Sequence, residues 1–523
     1  VAALSLFWTV QRPSGDVAAF IAAGRQADYY GAFPGNVYEA WELKPLGHRI
    51  LWRLLYRAST LIAPYEDKVL FEPTIRLLYS LLSILVILVS IRLARAPLRH
   101  VGISPPAAFA FLGLAFFGMN NWALMQAEHS ALLLAIPAAA LSLRPEIGAR
   151  FAAGVLLSLL VTLKGVTIVL APQVLLLAAA LPRERRPSLL PTVAGLAAGL
   201  VVVAIAAVYD FPREIQDLRN AAAWQGADQL RMEIIAPRLW AFLTSTANGI
   251  AVTKLGMAAA LALLLFRSRI GRRSAALIGA SWIMGLAGLL SQRHLFGYQF
   301  LLLWLPAAAC AGVLLVRWNA APDASRLRRE GVAFGLLLLA LSVGARPFWW
   351  LIPFVPLGWL TWVSARPRHA AAFPAFCALL VATALAGWSV PNVPEQIRRP
   401  LPVRELFAEW NHQFQLHQEP EILYLDAGYA AYAIGARSWC RYFFPLPIQR
   451  ATHRKLLLKL PVTQETLARI LQYEGRYIVH HFRWLPLPKV PELDAMIRER
   501  YRLVARDEEC GFALYARQQE PLG

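Results

Sequence analysis

Residues 188–209 read SLLPTVAGLAAGLVVVAIAAVY, 22 positions without a charged side chain. A helix rises about 1.5 Å per residue, and about 20 apolar residues cross the hydrocarbon core of a bilayer. Similar blocks of about 15–22 residues recur along the chain. They cover 74–94, 105–120, 129–143, 150–163, 165–182, 248–266, 274–291, 295–316, 331–346, 348–365 and 370–390. The chain opens with Val, and Val1–Val10 is half a span, read as the end of a first helix whose start is missing. Blocks 150–163 and 165–182 meet at Lys164 and could be one bent element. The expectation is therefore about 11–13 transmembrane helices. The 523 residues are 58% hydrophobic and only 16% charged, with mean hydropathy +0.47. A soluble domain carries about 25% charged residues. A soluble enzyme, a disulfide scaffold and a disordered chain are excluded, and the length exceeds one simple domain.

The net charge of +20 suggests nucleic acid at first, but its distribution argues against that partner. Six alternate short connections are basic: Arg92/Arg95/Arg99, Arg144/Arg150, Arg183/Arg185/Arg186, Arg267/Arg269/Arg272/Arg273, Arg317/Arg326/Arg328/Arg329 and Arg366/Arg368. The positive-inside rule puts these in the cytoplasm. The loop 12–73, the loop 210–247 and the C-terminal region then face outward. An odd number of spans starting inside agrees.

The first outer loop carries two expected helices. One covers 16–30. The other covers 45–62, PLGHRILWRLLYRASTLI, with Pro45 at its start. Leu46, Ile50, Leu54 and Leu61 share a stripe, while Arg49, Arg53 and Arg57 share another, the pattern of a helix in the membrane interface. The loop 210–247 mixes five carboxylates with Trp224 and Trp240 and reads as a folded interfacial segment. From about 391 the long apolar runs stop. EILYLDAGY, SWCRYFF, RYIVHHF and CGFALYAR read as strands, and VTQETLARILQY and VPELDAMIRERY as helices. The expected architecture is a polytopic α-helical membrane domain over 1–390 and a small α/β domain over 391–523 on the outer face. Cys310 and Cys377 read as packing residues. Cys440 and Cys510 read as two free thiols, with a disulfide as the alternative if that region is exported.

No GxxxxGK[ST] loop, GxGxxG turn, HExxH, CxxC or Asp-x-Asp pair occurs, so nucleotide- or nicotinamide-driven chemistry lacks its usual machinery. Ionisable residues instead gather at span ends on the outer side. Asp16 lies in SGDVAAF, Lys44 and His48 in ELKPLGHRIL, and Glu128 and His129 in MQAEHSALLL. Lys164 lies in LVTLKGVTIV, and Arg293, His294 and Tyr298 in SQRHLFGYQF. Such groups at membrane depth are costly and often functional. A carboxylate can deprotonate a hydroxyl, and cations can neutralise phosphate. The plainer alternatives are an interfacial or capping Asp16, a snorkelling Lys164 and a structural rim His294. His480 and His481 alternate across a strand, so they read as structural.

Asp16 after the first span, followed by Lys44-Pro45-Leu46 before the second, resembles the lipid-linked sugar transferases of the GT-C fold. These include the aminoarabinose transferases and protein O-mannosyltransferases. Glu128 stands where some relatives use Asp at the fourth span. GVLLSLLVTLKGVTIVLAP resembles the family's Gly-rich span ending in Thr-Lys-Gly, here with Leu163 inserted. RHLFGYQFLLLWLP resembles a later span-opening motif, and DAGYAAYAIGARSWCRYFF an exported domain appended by many bacterial members. The familiar second proline after Lys44 is absent. The resemblance implies a bacterial-type inner membrane protein that uses a polyprenyl-phosphate sugar donor at the outer leaflet. The acceptor would be a protein, glycan or lipid, and transfer would invert the sugar carbon. Asp16 would be the general base, with Glu128 supporting the site. Lys44, His48, Lys164, Arg293 and His294 would hold the donor phosphate. His129 and Tyr298 would line the acceptor or sugar pocket. A divalent metal ion at Glu128 is left open, and no other cofactor is implied. A transporter or flippase for an anionic solute and a non-catalytic scaffold are the rival readings. The transporter would need charged or broken segments inside the membrane.

Overall fold

The computed structural model describes residues 15–31, 44–100, 103–117, 124–181, 186–209, 215–216, 218–220, 235–237, 251–265, 271–292, 297–319, 402–440, 445–453 and 455–518. The first-span remnant, the three expected spans between 331 and 390, Cys377, Arg293 and His294 lie outside them. So does most of the loop 210–247. In chain order the helices are α1 Gly15–Ala27, α2 Leu46–Thr60, α3 Lys68–Leu93, α4 Arg95–His100, α5 Pro105–Phe117 and α6 Ala127–Ser142. Then come α7 Ile147–Ser158, α8 Leu160–Leu163, α9 Leu170–Ala179, α10 Leu190–Tyr209, α11 Ala251–Leu265, α12 Arg272–Ser291 and α13 Trp304–Asn319. The C-terminal part holds α14 Pro402–Phe414, β1 Leu423–Leu425, α15 Tyr429–Ile434, α16 Leu446–His453, α17 Pro461–Leu471, β2 Tyr477–His481, α18 Pro491–Arg500, β3 Tyr501–Asp507 and β4 Phe512–Arg517.

Two compact units emerge. One gathers the described residues of Tyr79–Asp210 and Leu230–Val393. The other gathers those of Val10–Leu78, Phe211–Gln229 and Pro394–Gly523. The expected boundary at 390 falls close to the change of unit at 393, yet residues 10–78 cluster with the C-terminal part.

The first unit is helical. Among the described residues, three helices are long and apolar enough to cross a membrane: Lys68–Leu93, Leu190–Val208 and Arg272–Ser291. Five of the other expected spans form shorter apolar helices, including Pro105–Phe117, Ala127–Ser142 and Gln299–Leu314. Leucines, valines and isoleucines stay exposed on the long helices, among them Leu85, Val202, Ile205 and Ile283. Chain backbones approach closely between α7 and α10: a Cβ added at Gly154 would strike the Thr192 carbonyl oxygen, and one at Gly195 the Phe151 carbonyl oxygen. The expected bend at Lys164 is a true break. Lys164 is extended (φ −166°, ψ 129°) between α8 and a 3-10 turn, Gly165–Val169.

In the second unit, α2 begins after Pro45, as its fixed φ favours. Its burial differs from the usual amphipathic pattern. Arg49 and Arg53 are buried with His48, Trp52, Leu55 and Tyr56, whereas Leu54 and Leu61 are exposed by 51% and 88%. Arg53 is held inward by the Gly24 carbonyl and the Asp28 carboxylate. Arg57 shares that carboxylate at 2.7 Å.

The C-terminal strands form one mixed sheet of order β1-β2-β4-β3. β1 runs parallel to β2, pairing Leu423 with Ile478, and the other pairings are antiparallel. Leu423, Leu425, Ile470, Tyr473, Ile478, Leu493 and Ile497 fill its core. This is the expected small α/β arrangement with two corrections. SWCRYFF contributes only an isolated bridge, Ile422 to Ser438, among its described residues, because the chain turns away after Ser438. β3 replaces it as the fourth strand. Its arginines at 502 and 506 and a bulge between Leu503 and Ala505 mask its alternation. Cys440 and Cys510 are free thiols, Cys440 buried in the core and its thiol pushed up to about 12 by burial. The reading of two free thiols is the one the structure shows.

Candidate functional site

Among the described residues two polar centres stand out, one in each unit. In the helical unit, Glu128 lies in the first turn of α6 and its side chain is fully buried. The break at Lys164 frees that lysine to ion-pair with Glu128 Oε1. The same ammonium donates to Gln292 Oε1 at 2.5 Å. Glu128 Oε2 and Gln292 Nε2 are buried and make no hydrogen bond within the described protein. The cluster thus presents one accepting and one donating group beside a neutralised charge pair, suited to a hydroxyl.

His129, the neighbour of Glu128, is fully buried and structural in its contacts. Its Nε2 faces the Phe116 carbonyl at 3.2 Å and must donate. Nδ1 then accepts from the Met125 N–H at 3.1 Å and the Tyr79 hydroxyl at 2.9 Å. Met125 holds φ +65°, a left-handed conformation costly for its side chain. His129 secures that turn, so both its ring nitrogens are engaged. Tyr298 sits on the 3-10 segment Gly297–Leu303, and its side chain lies outside the described atoms.

In the second unit, Asp16 lies in the first turn of α1, half-buried. Negative charge is favoured there by the helix dipole. Phe20, one turn on, gathers two of the expected cationic residues. Lys44 Nζ lies 5.7 Å from its ring centroid, and His48 meets it edge-on at 4.6 Å. His48 Nε2 accepts from Trp52 Nε1 at 3.1 Å, which fixes the tautomer and ring plane. Asp16, Lys44 and His48 therefore belong to one unit, and Glu128 and Lys164 to the other.

Two residues near these centres were given no role by the sequence. Gln292 directly precedes Arg293, a weak signal. Asp426 stands in DAGY after β1. Asp426 is fully buried, and Oδ2 accepts the Ala430 N–H at 2.9 Å. Burial pushes its carboxyl from 3.8 up to about 7, against hydrogen bonds from the backbone at 428–430 that favour the ionised form. The folded chain therefore binds a proton that the unfolded chain releases. Stability from this group is full below about pH 4 and is lost as pH rises to about 7. Asp426→Asn is expected to remove that decline and keep the cap, read as thermal unfolding of the full chain across this range. An unchanged pH slope would refute the assignment.

Among the described residues no three His, Cys, Asp or Glu side chains gather as metal ligands. Glu128 already has a cation beside it. These residues do not fit a divalent ion. No protein-family model matches the chain, and no curated protein matches its sequence.

Proposed function

We propose that the chain is an integral membrane glycosyltransferase that takes a sugar from a polyprenyl-phosphate donor at the extracytoplasmic face, with Asp16 as general base. The observation that carries this reading is that Lys44 and His48 meet at the ring of Phe20, one helical turn after Asp16. The unit that holds them also collects the first outward loop and the C-terminal region, with part of the loop 210–247. Exposed Leu54, Leu61, Ile62, Val69 and Leu70 give that unit apolar surface suited to a membrane interface.

In this reaction Asp16 takes the proton of an acceptor hydroxyl as its oxygen attacks the sugar carbon. The bond from that carbon to the lipid phosphate breaks, and the phosphate leaves with the electron pair. Lys44 offsets the charge on the phosphate. No nucleotide site is needed, because the donor arrives activated.

The test is release of polyprenyl phosphate from a mixed donor pool by the purified chain. The parent should turn over. Asp16→Asn should be slower by about 100-fold or more, the range of general-base catalysis, with unchanged folding. Absence of donor binding would overturn the reading.

The second reading, a transporter of anionic solutes, is favoured by one observation. A buried Lys164–Glu128 pair sits at a helix break inside an apolar helical unit, as discontinuous transporter helices arrange their sites. Solute uptake into proteoliposomes that is lost in Lys164→Met would favour it.

A further inference from the structure

We propose that Glu128, Lys164 and Gln292 form a binding site for an uncharged hydroxyl group, that of a sugar, in the helical unit. The site does not depend on Asp16 as a base. It gives Lys164 a task other than holding phosphate, and it makes Gln292 the residue that reads the ligand.

Charge decides the class of ligand. The Lys164 ammonium is ion-paired with Glu128 Oε1 and donates to Gln292 Oε1 at 2.5 Å. The pair is neutral as a whole. An arriving phosphate meets the Glu128 carboxylate as well as the ammonium, and an arriving cation meets the ammonium, so neither gains much. The contact with Lys164 also fixes the Gln292 amide. Its oxygen faces the ammonium, so its NH2 is the end left over. Gln292 Nε2 is buried and makes no hydrogen bond among the described residues. The same holds for Glu128 Oε2, on a side chain with no solvent exposure. Leaving such groups unpaired in an apolar medium is costly. A hydroxyl serves both, donating to Glu128 Oε2 and accepting from Gln292 Nε2. The Lys164 side chain, 15% exposed, and half-buried Gln292 bring the cluster to the surface.

Packed elements hold the three side chains. Glu128 stands in the first turn of α6, where the helix dipole favours a carboxylate. At the break, the Thr167 hydroxyl donates to the Leu160 carbonyl at 2.6 Å, with the Lys164 carbonyl at 2.8 Å. It thereby covers backbone oxygens that the interrupted helix leaves open. The 3-10 turn then presses Val169 onto α12 at Gly288, where a Cβ would come within 2.9 Å of Val169 Cγ2. α12 ends one turn later, at Ser291, and Gln292 follows it. The contact that seats the turn therefore also brings Gln292 to Lys164. The basic connections put the start of α6, the break and the end of α12 on the outer side, so the sugar arrives from there.

The experiment uses the full chain in a detergent without a sugar headgroup, with glucose, galactose, mannose and arabinose as probes. Saturation-transfer NMR reads the binding of each. At least one of these sugars is expected to bind the parent. Gln292→Leu removes the donor and should weaken that binding by about tenfold or more. Gln292→Asn keeps the amide but withdraws it by one methylene. It should weaken binding too, and it carries the test if the leucine variant does not fold. Inorganic phosphate in excess should leave the sugar bound. Binding of none of these sugars overturns the proposal. Equal binding by the parent and both variants overturns it as well, because the sugar then sits elsewhere and the cluster holds only water. Displacement by phosphate would make this an anion site and also overturns it. Sugar binding that is weakened in Gln292→Leu, in a chain that never releases polyprenyl phosphate, sinks the transferase reading and leaves this site standing.

Discussion

Lys164→Met should destabilise the chain by about 3–5 kcal/mol, the cost of leaving a buried carboxylate without its partner. The Glu128 side chain has no solvent exposure and that of Lys164 has 15%, so water cannot take over the lost role. Methionine restores the length of the lysine stem but neither its charge nor its hydrogen bond to Gln292. The double variant Lys164→Met/Glu128→Gln should recover most of the loss, since replacing both charges by neutral groups removes the stranded ion. Denaturant unfolding in detergent reads both. Equal instability of the single and double variants would show that Lys164 matters through packing alone. The same pair separates fold from function: a stable but inactive double variant would give the cluster a working role beyond holding α6 at the chain break.

Gly195→Leu should abolish the folded helical unit, and even Gly195→Ala should cost about 1–3 kcal/mol or more. A Cβ at 195 meets the Phe151 carbonyl oxygen, and one at 154 meets the Thr192 carbonyl oxygen and the Leu196 nitrogen. Backbone cannot rotate aside as a side chain can. Gly199 offers the internal contrast, because its Cβ would meet the Ser158 side chain. Gly199→Ala should therefore be milder than Gly195→Ala in thermal unfolding. A Gly195→Ala protein as stable as the parent would mean that α7 and α10 lie farther apart than described. Gly195 and Gly199 have the small-xxx-small spacing through which membrane helices approach.

The helical layout was readable because long charge-free blocks leave no alternative to helix in lipid. The break at Lys164 was readable too, since a lysine interrupts LLVTL and GVTIV. Burial of α2 was harder. Arg53 looks like a solvent or lipid-headgroup residue until Asp28 and the Gly24 carbonyl are seen to hold it. Those partners lie in another helix and the turn after it, and no local pattern encodes them. β3 was missed for a related reason. An edge strand with arginines at 502 and 506 has only one face to bury, and its pattern merges with the charged end of α18. Among site residues, the span-end acids and bases stood out as isolated charges in apolar text. Gln292 did not, because a neutral amide is unremarkable until its neighbours are known. His129 stood out for the wrong reason: its polarity serves the Met125 turn.

Gln26, whose buried amide donates to the Ala436 carbonyl and accepts the Ser438 N–H, sets an order of events in biosynthesis. Its carbonyl partner lies 410 residues further along the chain. At roughly 5–20 residues per second, the ribosome needs roughly 20–80 s to deliver that partner. Throughout this interval α1 and α2 must wait without their mate, with Gln26, Tyr29 and Tyr65 still hydrated. The segment around α1 is therefore made long before its partner and matures late. A chain cut short before residue 436 would carry a defect at α1 as well as at its cut end.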